Sequence, residues 1–448
     1  MQCVRKVTDD LYWVGANDYR TELFENIHPI PEGVSYNSYV LLDEKTVLFD
    51  CVDWGVCRTF LENLSYVLKD RPLDYMVINH LEPDHAASIA EVLLRHPETT
   101  VISSEKGFMF MRQFGFDVDG RMDTVKEGDT RCFGKHTVTF LFAQMVHWPE
   151  AMVTFDTTNG VLFSADAFGS FGNLGGRLFD DEVDFDRDWI DNARRYFTNI
   201  VGKYGPFVQQ LLGKAKTAPI KMFCPLHGPV WRTNLGYYID KHDKWSRYIP
   251  EENGVMIVYA SMYGNTESAA QALASRLCDR GITNVRVYDV SKTHVSYLVS
   301  EAFKYSHIIL ASVTYNLNIY PVMEDYLHHL KVLNLSKRVF GIIENGSWAI
   351  KSGTLMEQYI DENLKDCRII NARVTINSSG NRSNEDEMDD LADAIVKSIA
   401  EEEKRLEEGQ KAITEAAAAA EKKAALKKMS AKERMALRMA QRRAEKEQ

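Results

Sequence analysis

Asn79-His80-Leu81-Glu82-Pro83-Asp84-His85 follows directly on the apolar run Tyr75-Met76-Val77-Ile78. The run reads as a buried strand that ends in a Pro-containing turn. Four metal-capable side chains, His80, Glu82, Asp84 and His85, stand within six residues just beyond that strand. A strand end followed by a tight loop turns alternate side chains into one cleft. Three later segments repeat the pattern with one ligand-type residue each. His147 follows the strand-like Val138–Gln144, Asp166 ends Leu162-Phe163-Ser164-Ala165-Asp166, and His227 lies in Cys224-Pro225-Leu226-His227-Gly228-Pro229. Any one of these residues alone is better read as structural. Together, four His and three carboxylates suffice for two metal ions with a shared carboxylate and open positions. His28, His96, His136, His242, His328 and His329 lack such a context and read as structural or surface residues.

Around this stretch, residues 1 to about 250 alternate short apolar runs with turns. Thr46–Val52, Leu73–Asn79, Thr137–Gln144, Gly160–Asp166 and Ile220–Cys224 read as strands, and Val56–Lys69 and His85–Arg95 as helices. Ile249-Pro250-Glu251-Glu252-Asn253-Gly254 reads as a linker. Beyond it the pattern becomes regular, with strands expected at Val255–Ser261, Asn284–Asp289, His307–Ser312, Arg338–Ile343 and Arg368–Val374. Helices are expected at Asn265–Arg280, Ser296–Tyr305, Tyr320–Leu333, Gly353–Asn363 and Asn384–Ala400. Five strand–helix units in about 145 residues predict a doubly wound parallel sheet. From Glu401 the chain turns rich in Ala, Glu, Lys and Arg, including Ala416–Ala420, and passes from acidic to basic. This extension, 401–448, is expected to be helical or disordered, either as a solvated appendage or as a docking arm.

Three loops at expected strand ends of the second half suit a flavin. Ser261-Met262-Tyr263-Gly264-Asn265-Thr266 opens a helix, so backbone N–H groups and small side chains can hold a phosphate. No P-loop lysine is present, which argues against ATP or GTP. Thr314-Tyr315-Asn316 and Asn345-Gly346-Ser347-Trp348 follow the third and fourth strands of the same sheet edge. Tyr315 and Trp348 are candidates to flank an isoalloxazine ring. The bland alternative makes Trp348 a partly buried core aromatic.

Composition sets outer bounds. The chain has 448 residues, 45% hydrophobic and 26% charged, which fits two or three globular domains. Net charge is −11 with no basic stripe in the first 400 residues, so nucleic acid is not an expected partner of the folded part. No apolar run approaches membrane-spanning length and no signal-peptide core is visible. Seven scattered cysteines without a C-x-x-C pair exclude a rubredoxin or zinc-ribbon module and fit a reducing, cytoplasmic setting.

The H-x-E-x-D-H cluster is similar to that of metallo-β-lactamase-class zinc hydrolases, which carry His where this chain has Glu82. A carboxylate there suits iron better than zinc. With the later His, Asp and His and the flavodoxin-like second half, the chain resembles the flavodiiron proteins over roughly residues 1–400. The resemblance implies an N-terminal metallo-β-lactamase-like αββα sandwich (1–250) holding two non-haem irons. It implies a flavodoxin-like five-stranded parallel sheet (254–400) holding FMN. His80, Glu82 and His147 would bind one iron, Asp84, His85 and His227 the other, and Asp166 would bridge them. Trp148 would lie near the flavin. Val313 and Leu317 depart mildly from the family pattern beside the flavin. The implied activity is reduction of O2 to water, of NO to N2O, or both, in a head-to-tail homodimer or homotetramer. Electrons would come from a rubredoxin or a reductase. The alternatives are a zinc-dependent hydrolase fused to an electron-transfer flavodoxin, and a non-catalytic flavin carrier.

Overall fold

A computed structural model describes residues 1–428. The end of the charged extension, 429–448, lies outside the described residues.

The first half is built from two facing sheets. One has seven strands in the order Arg5–Lys6, Leu11–Trp13, Tyr39–Leu42, Thr46–Phe49, Tyr75–Val77, Thr100–Ser104, Met122–Val125. It is antiparallel up to Thr46–Phe49 and parallel beyond. The other has five strands, Thr130–Cys132, Thr137–Phe142, Met152–Asp156, Val161–Phe163 and Met222–Cys224, antiparallel except for the last pair. Phe49 of one sheet stacks on Phe163 of the other with ring centroids 3.8 Å apart, so the sheets close directly on each other. Helices such as Cys57–Leu68 and Leu235–Ser246 join the same apolar cluster from outside, completing an αββα sandwich.

Several expected strands are shorter than their apolar runs. Thr46–Val52 pairs only to Phe49, Leu73–Asn79 only over Tyr75–Val77, and Gly160–Asp166 only over Val161–Phe163. The cause is local. Asp50 and Ala165 take left-handed backbone angles (φ 54° and 50°), which end the ladders and swing the next residues toward the sandwich rim. The expected helix His85–Arg95 is likewise two pieces, Pro83–Ala86 and Ile89–Arg95. Between them Ser88 Oγ donates to Val52 O and accepts from Val52 N, fastening the break to the first sheet.

The second half is a parallel sheet in the order Val285–Asp289, Glu252–Ala260, Tyr305–Val313, Val339–Gly346, Arg368–Asn377. This 2-1-3-4-5 order is the flavodoxin-like one. Met256, Val258 and Ala260 face one apolar layer while Val255, Ile257 and Tyr259 face the other. Burial of both faces explains why these strands read as unbroken apolar runs.

The expected linker is not a free connector. Its last residues already belong to the strand that starts at Glu252. The Glu251 side chain is only 3% exposed and accepts from Arg194 and from Lys241 Nζ at 3.0 Å. Arg338, also buried, donates to the carbonyls of Tyr248, Ala302, Phe303 and Ser336. The closing helix runs from Ser383 to Lys428, past its expected end at Ala400. Among the described residues no helix is long and apolar enough to cross a membrane.

Candidate functional site

The loop after Tyr75–Val77 is pinned before it reaches the cleft. Asp50 accepts from Asn79 N at 2.6 Å, Asn79 Nδ2 at 2.7 Å and His80 N at 3.3 Å. Thr154 Oγ1 donates to Asn79 Oδ1 at 2.7 Å, tying the loop to the second sheet. The next residues therefore enter the cleft from a fixed backbone.

All seven residues expected as metal ligands meet there, in two groups. His80, Glu82, His147 and Asp166 form one, and Asp84, His85 and His227 the other. In the first, His147 Nε2 lies 2.9 Å from Glu82 Oε2, and His80 Nε2 3.4 Å from the same oxygen. Asp166 Oδ2 is 3.1 Å from His80 Nε2 and 3.2 Å from His147 Nε2. In the second, Asp84 Oδ2 is 3.2 Å from both His85 Nε2 and His227 Nε2. Asp166 Oδ1 faces this group, 3.3 Å from His85 Nε2. One carboxylate thus gives one oxygen to each group, as a bridging ligand must.

The donor set fits hard or borderline cations. Both oxygens of Asp84 and of Asp166 are buried without a hydrogen-bond donor. His85 Nε2 and His227 Nε2 point at each other across 3.0 Å. Polar atoms so placed are costly unless a cation sits among them. A second layer aims the ligands. His80 Nδ1 pairs with Glu150 Oε1 at 2.8 Å and His227 Nδ1 with Ser35 O at 2.8 Å, which turns both Nε2 lone pairs inward. His85 Nδ1 has no such partner.

The charges show the same demand. Burial pushes the Asp84 carboxyl up to about 7, with Glu82 and Asp166 adding to the shift. Burial acts against the charged form of His147 too, yet Asp166 and Glu82 hold its imidazole at about 9. His80 is held well above its ordinary value by Asp166, Glu150 and Glu82 against its burial.

A cavity of about 420 Å³ opens over Glu82 and Asp84, lined also by Leu23, Phe24, Glu25, Tyr36 and Asp53. No local pattern in the sequence singles out Glu25, Tyr36, Tyr196, Asp50 or Glu150 for this site. Burial and the Glu82 charge push the Glu25 carboxyl up to about 8. The Tyr196 hydroxyl is buried without a partner, and its ring lies 5.4 Å from that of His227.

The second cavity, about 310 Å³, lies at the carboxyl edge of the parallel sheet. Ser261, Met262, Tyr263, Asn265, Thr266, Thr314, Tyr315, Asn316, Asn345, Gly346, Ser347 and Trp348 all line it. Gly264 does not; it caps the helix Asn265–Asp279 with φ 92°, and its N–H donates to Ser261 Oγ at 3.1 Å. That leaves a helix N-terminus open for an anion such as a phosphate. Asn316 and Leu317 are both left-handed (φ 48° and 64°) in a tight turn closed by Tyr315 N to Asn318 O at 3.0 Å. Ser378 lines the cavity as well and was not expected. Trp348 is 80% exposed and Tyr263 91%, which overturns the reading of Trp348 as a core aromatic. Trp148 is not part of this cavity. Its ring lies 5.4 Å from that of His80 and 6.2 Å from that of His147.

Residues 34–228 match the family model for the ODP family of beta lactamases, and residues 257–394 that for flavodoxin. The anaerobic nitric oxide reductase flavorubredoxin of Vibrio vulnificus is 30% identical over 347 residues, covering 76% of this chain and 70% of that protein. The rubredoxin-oxygen oxidoreductase of Megalodesulfovibrio gigas is 31% identical over 362 residues, 79% of this chain and 88% of that one. Among solved structures, the rubredoxin oxygen:oxidoreductase of Desulfovibrio gigas superposes with a TM-score of 0.82 at 27% identity, covering 89% of this chain and 98% of that one. The flavodiiron protein of Giardia intestinalis has the same fold, with a TM-score of 0.81 at 23% identity over 89% and 98% of the two chains.

Proposed function

The chain belongs to the flavodiiron protein family, and from that premise we propose that it reduces dioxygen to water, nitric oxide to nitrous oxide, or both. The observation that carries the reading is Asp166, whose two oxygens face two separate donor groups in one buried cleft. His80, Glu82 and His147 would hold one iron, Asp84, His85 and His227 the other, with Asp166 common to both. Two ferrous ions held there would supply reducing equivalents to a diatomic gas, and FMN held in the second cavity would supply electrons to them.

The protein's own residues have three tasks. The buried carboxylates offset the charge of the cations, and Glu150 and Ser35 fix which imidazole nitrogen faces them. Leu23, Phe24 and Tyr36 give the cavity an apolar wall opposite the carboxyl groups of Glu25, Asp53, Glu82 and Asp84, which suits small uncharged gases that take up protons. Each turnover consumes protons, two for a pair of NO molecules and four for one O2, and the carboxyls beside the cavity can hold them.

The division into a metal-binding part (1–250), a flavin part (254–400) and a charged extension (401–448) belongs to the same proposal, supported by the two family matches. So does a head-to-tail homodimer or homotetramer, in which the flavin edge of one copy faces the metal cleft of the next. The exposed Tyr263, Leu317 and Trp348 around the flavin cavity support it. A rubredoxin or a flavin-linked reductase would supply the electrons. All seven cysteines are unpaired, which supports a cytoplasmic setting.

The deciding experiment is metal and flavin analysis of anaerobically prepared protein, followed by NO and O2 consumption with reduced rubredoxin. About two irons and one FMN per chain with gas consumption is the expected result. Zinc in their place, with no gas consumed, would return the site to the hydrolases.

A further inference from the structure

One wall of the metal cavity is a hairpin too small to place itself. Its strands, Leu23–Phe24 and His28–Pro29, have two residues each. The turn between them puts Glu25 and Asn26 at φ 49° and 55°, a left-handed geometry unfavourable for both and worse for Glu. Isolated hairpins are marginal in water even when longer. Yet this one carries Leu23, Phe24 and Glu25 into the cavity lining and sets the buried Phe24 ring edge-on to His227, 5.2 Å between centroids.

Arg195 supplies an external hold. It is 2% exposed, and Nη2 donates to Pro29 O at 2.7 Å. Its guanidinium lies 4.6 Å from the ring of Phe171, which packs edge-on against Phe24 at 5.3 Å. On its other side, Nη1 donates to Ser296 Oγ at 3.1 Å and the same guanidinium covers Tyr297 at 4.2 Å. Ser296 and Tyr297 open the helix Val295–Lys304 of the flavin-side domain. Its neighbour Arg194 serves the connector through Glu251 and does not touch the hairpin. A continuous line of contacts therefore runs from the parallel-sheet domain through one planar cation to a wall of the metal cavity.

We propose that Arg195 is a positioning residue that sets the width of the metal cavity by holding the hairpin Leu23–Pro29 against His227, with the flavin-side helix as its anchor. The proposal takes that cavity as the entrance for small ligands, as the functional reading does. A lysine could reach one partner but not grip both sides as a planar fork does.

The test uses the full chain loaded with iron and FMN, in Arg195→Met, Arg195→Lys, Phe24→Leu and the double variant Arg195→Met/Phe24→Leu. Azide titrated into the oxidised protein, followed by its visible absorption band, reports cavity access without turnover. Arg195→Met is expected to change azide affinity and the KM for gas by about tenfold, the scale of losing charged hydrogen bonds. Its kcat should change less than about twofold, its iron and FMN content should stay as in the wild type, and Arg195→Lys should fall between. In the Phe24→Leu background the Arg195→Met effect should largely vanish, because both act on one wall. Unchanged azide affinity and KM, or effects that simply add, would overturn the proposal. If Arg195→Met does not fold, Tyr297→Leu trims the same anchor from the far side and must give a weaker change of the same sign. A wild type that binds azide but consumes neither gas would defeat the functional reading and leave this one standing.

Discussion

The two cavities are built on opposite plans. The proposed metal ligands His80, His85 and His227 are fully buried, and Asp166 is 1% exposed. The aromatic rim of the flavin cavity is open, with Tyr263 and Trp348 almost wholly in solvent. Burial at the first site is chemical necessity. Carboxylates and imidazoles gather cations tightly only where water does not compete, and a loop must be pinned by a second layer to keep them aimed. At the second site the recognition is done by backbone N–H groups, a left-handed turn and flat side chains, none of which needs a dry interior. An electron-transfer group also gains from lying at a surface, where a partner can approach. The iron site is thus a cage made by one chain, and the flavin site an open edge.

The comparison is broken most severely at Asp166. Asp166→Ala removes the oxygen that each metal group shares. Iron should fall from about two per chain to well under one, and gas reduction to background. FMN should remain, because no residue of its cavity touches the cleft. Elemental analysis with flavin absorbance on one preparation decides it; joint loss of iron and FMN would mean that the two sites are not independent.

Glu150→Gln probes the second layer alone. It keeps an acceptor for His80 Nδ1 but removes the buried charge 2.8 Å away. Iron affinity should drop roughly 10–100-fold, as for other partners of ligand histidines, measurable by competition with a chelator. An unaltered affinity would show that the cage is held by its ligands only.

Trp348→Ala does the converse at the exposed site. Loss of one stacking face should weaken FMN about tenfold and leave iron content untouched. Titration of the apoprotein by flavin fluorescence quenching measures it. No change would mean that Trp348 faces a partner rather than the ring.

The difference between the plans also explains what could be read without the structure. His80 to His85 declare themselves because a strand end packs four ligands into six residues. His147, Asp166 and His227 are legible as ligand-type residues at strand ends, and the five strand–helix repeats give the parallel sheet. Asp50, Glu150 and Ser35 are not legible as a second layer, because each acts across a fold distance that no local period encodes. Glu150 reaches back 70 residues to His80, and Ser35 forward 192 to His227. Phe24, Tyr36 and Tyr196 look like ordinary core aromatics, and Glu25 like a loop carboxylate, until the hairpin is folded over the cleft. The linker misleads for a related reason: Pro, Gly and acidic residues signal a break, but buried Arg194 and Arg338 bind it into both halves.

The smallest expected effect separates the two halves by the sign of their pH response. In the sandwich, His136 is buried between Asp156, 2.8 Å from Nδ1, and Asp10, 3.0 Å from Nε2. Burial works against its charged form, but the two carboxylates prevail and raise it above the ordinary 6.5. Its stabilisation is therefore complete below 6.5 and is lost as pH rises through the raised value. In the parallel sheet, His307 is buried between Ser306 and Ser398 hydroxyls, each at 2.8 Å, and burial with the nearby Arg368 charge depresses it to about 3. That group stays neutral in the fold, so its stabilisation is complete above 6.5 and fades as pH falls toward 3. Replacing each with Asn should cost about 1–3 kcal/mol in the favourable range, the scale of buried hydrogen bonds. His136→Asn should show its larger deficit near pH 5.5 and His307→Asn near pH 8.5, in paired thermal unfolding curves at about those two values. Deficits that rank the same way at both pH values would refute the assignment of charge to one histidine and neutrality to the other.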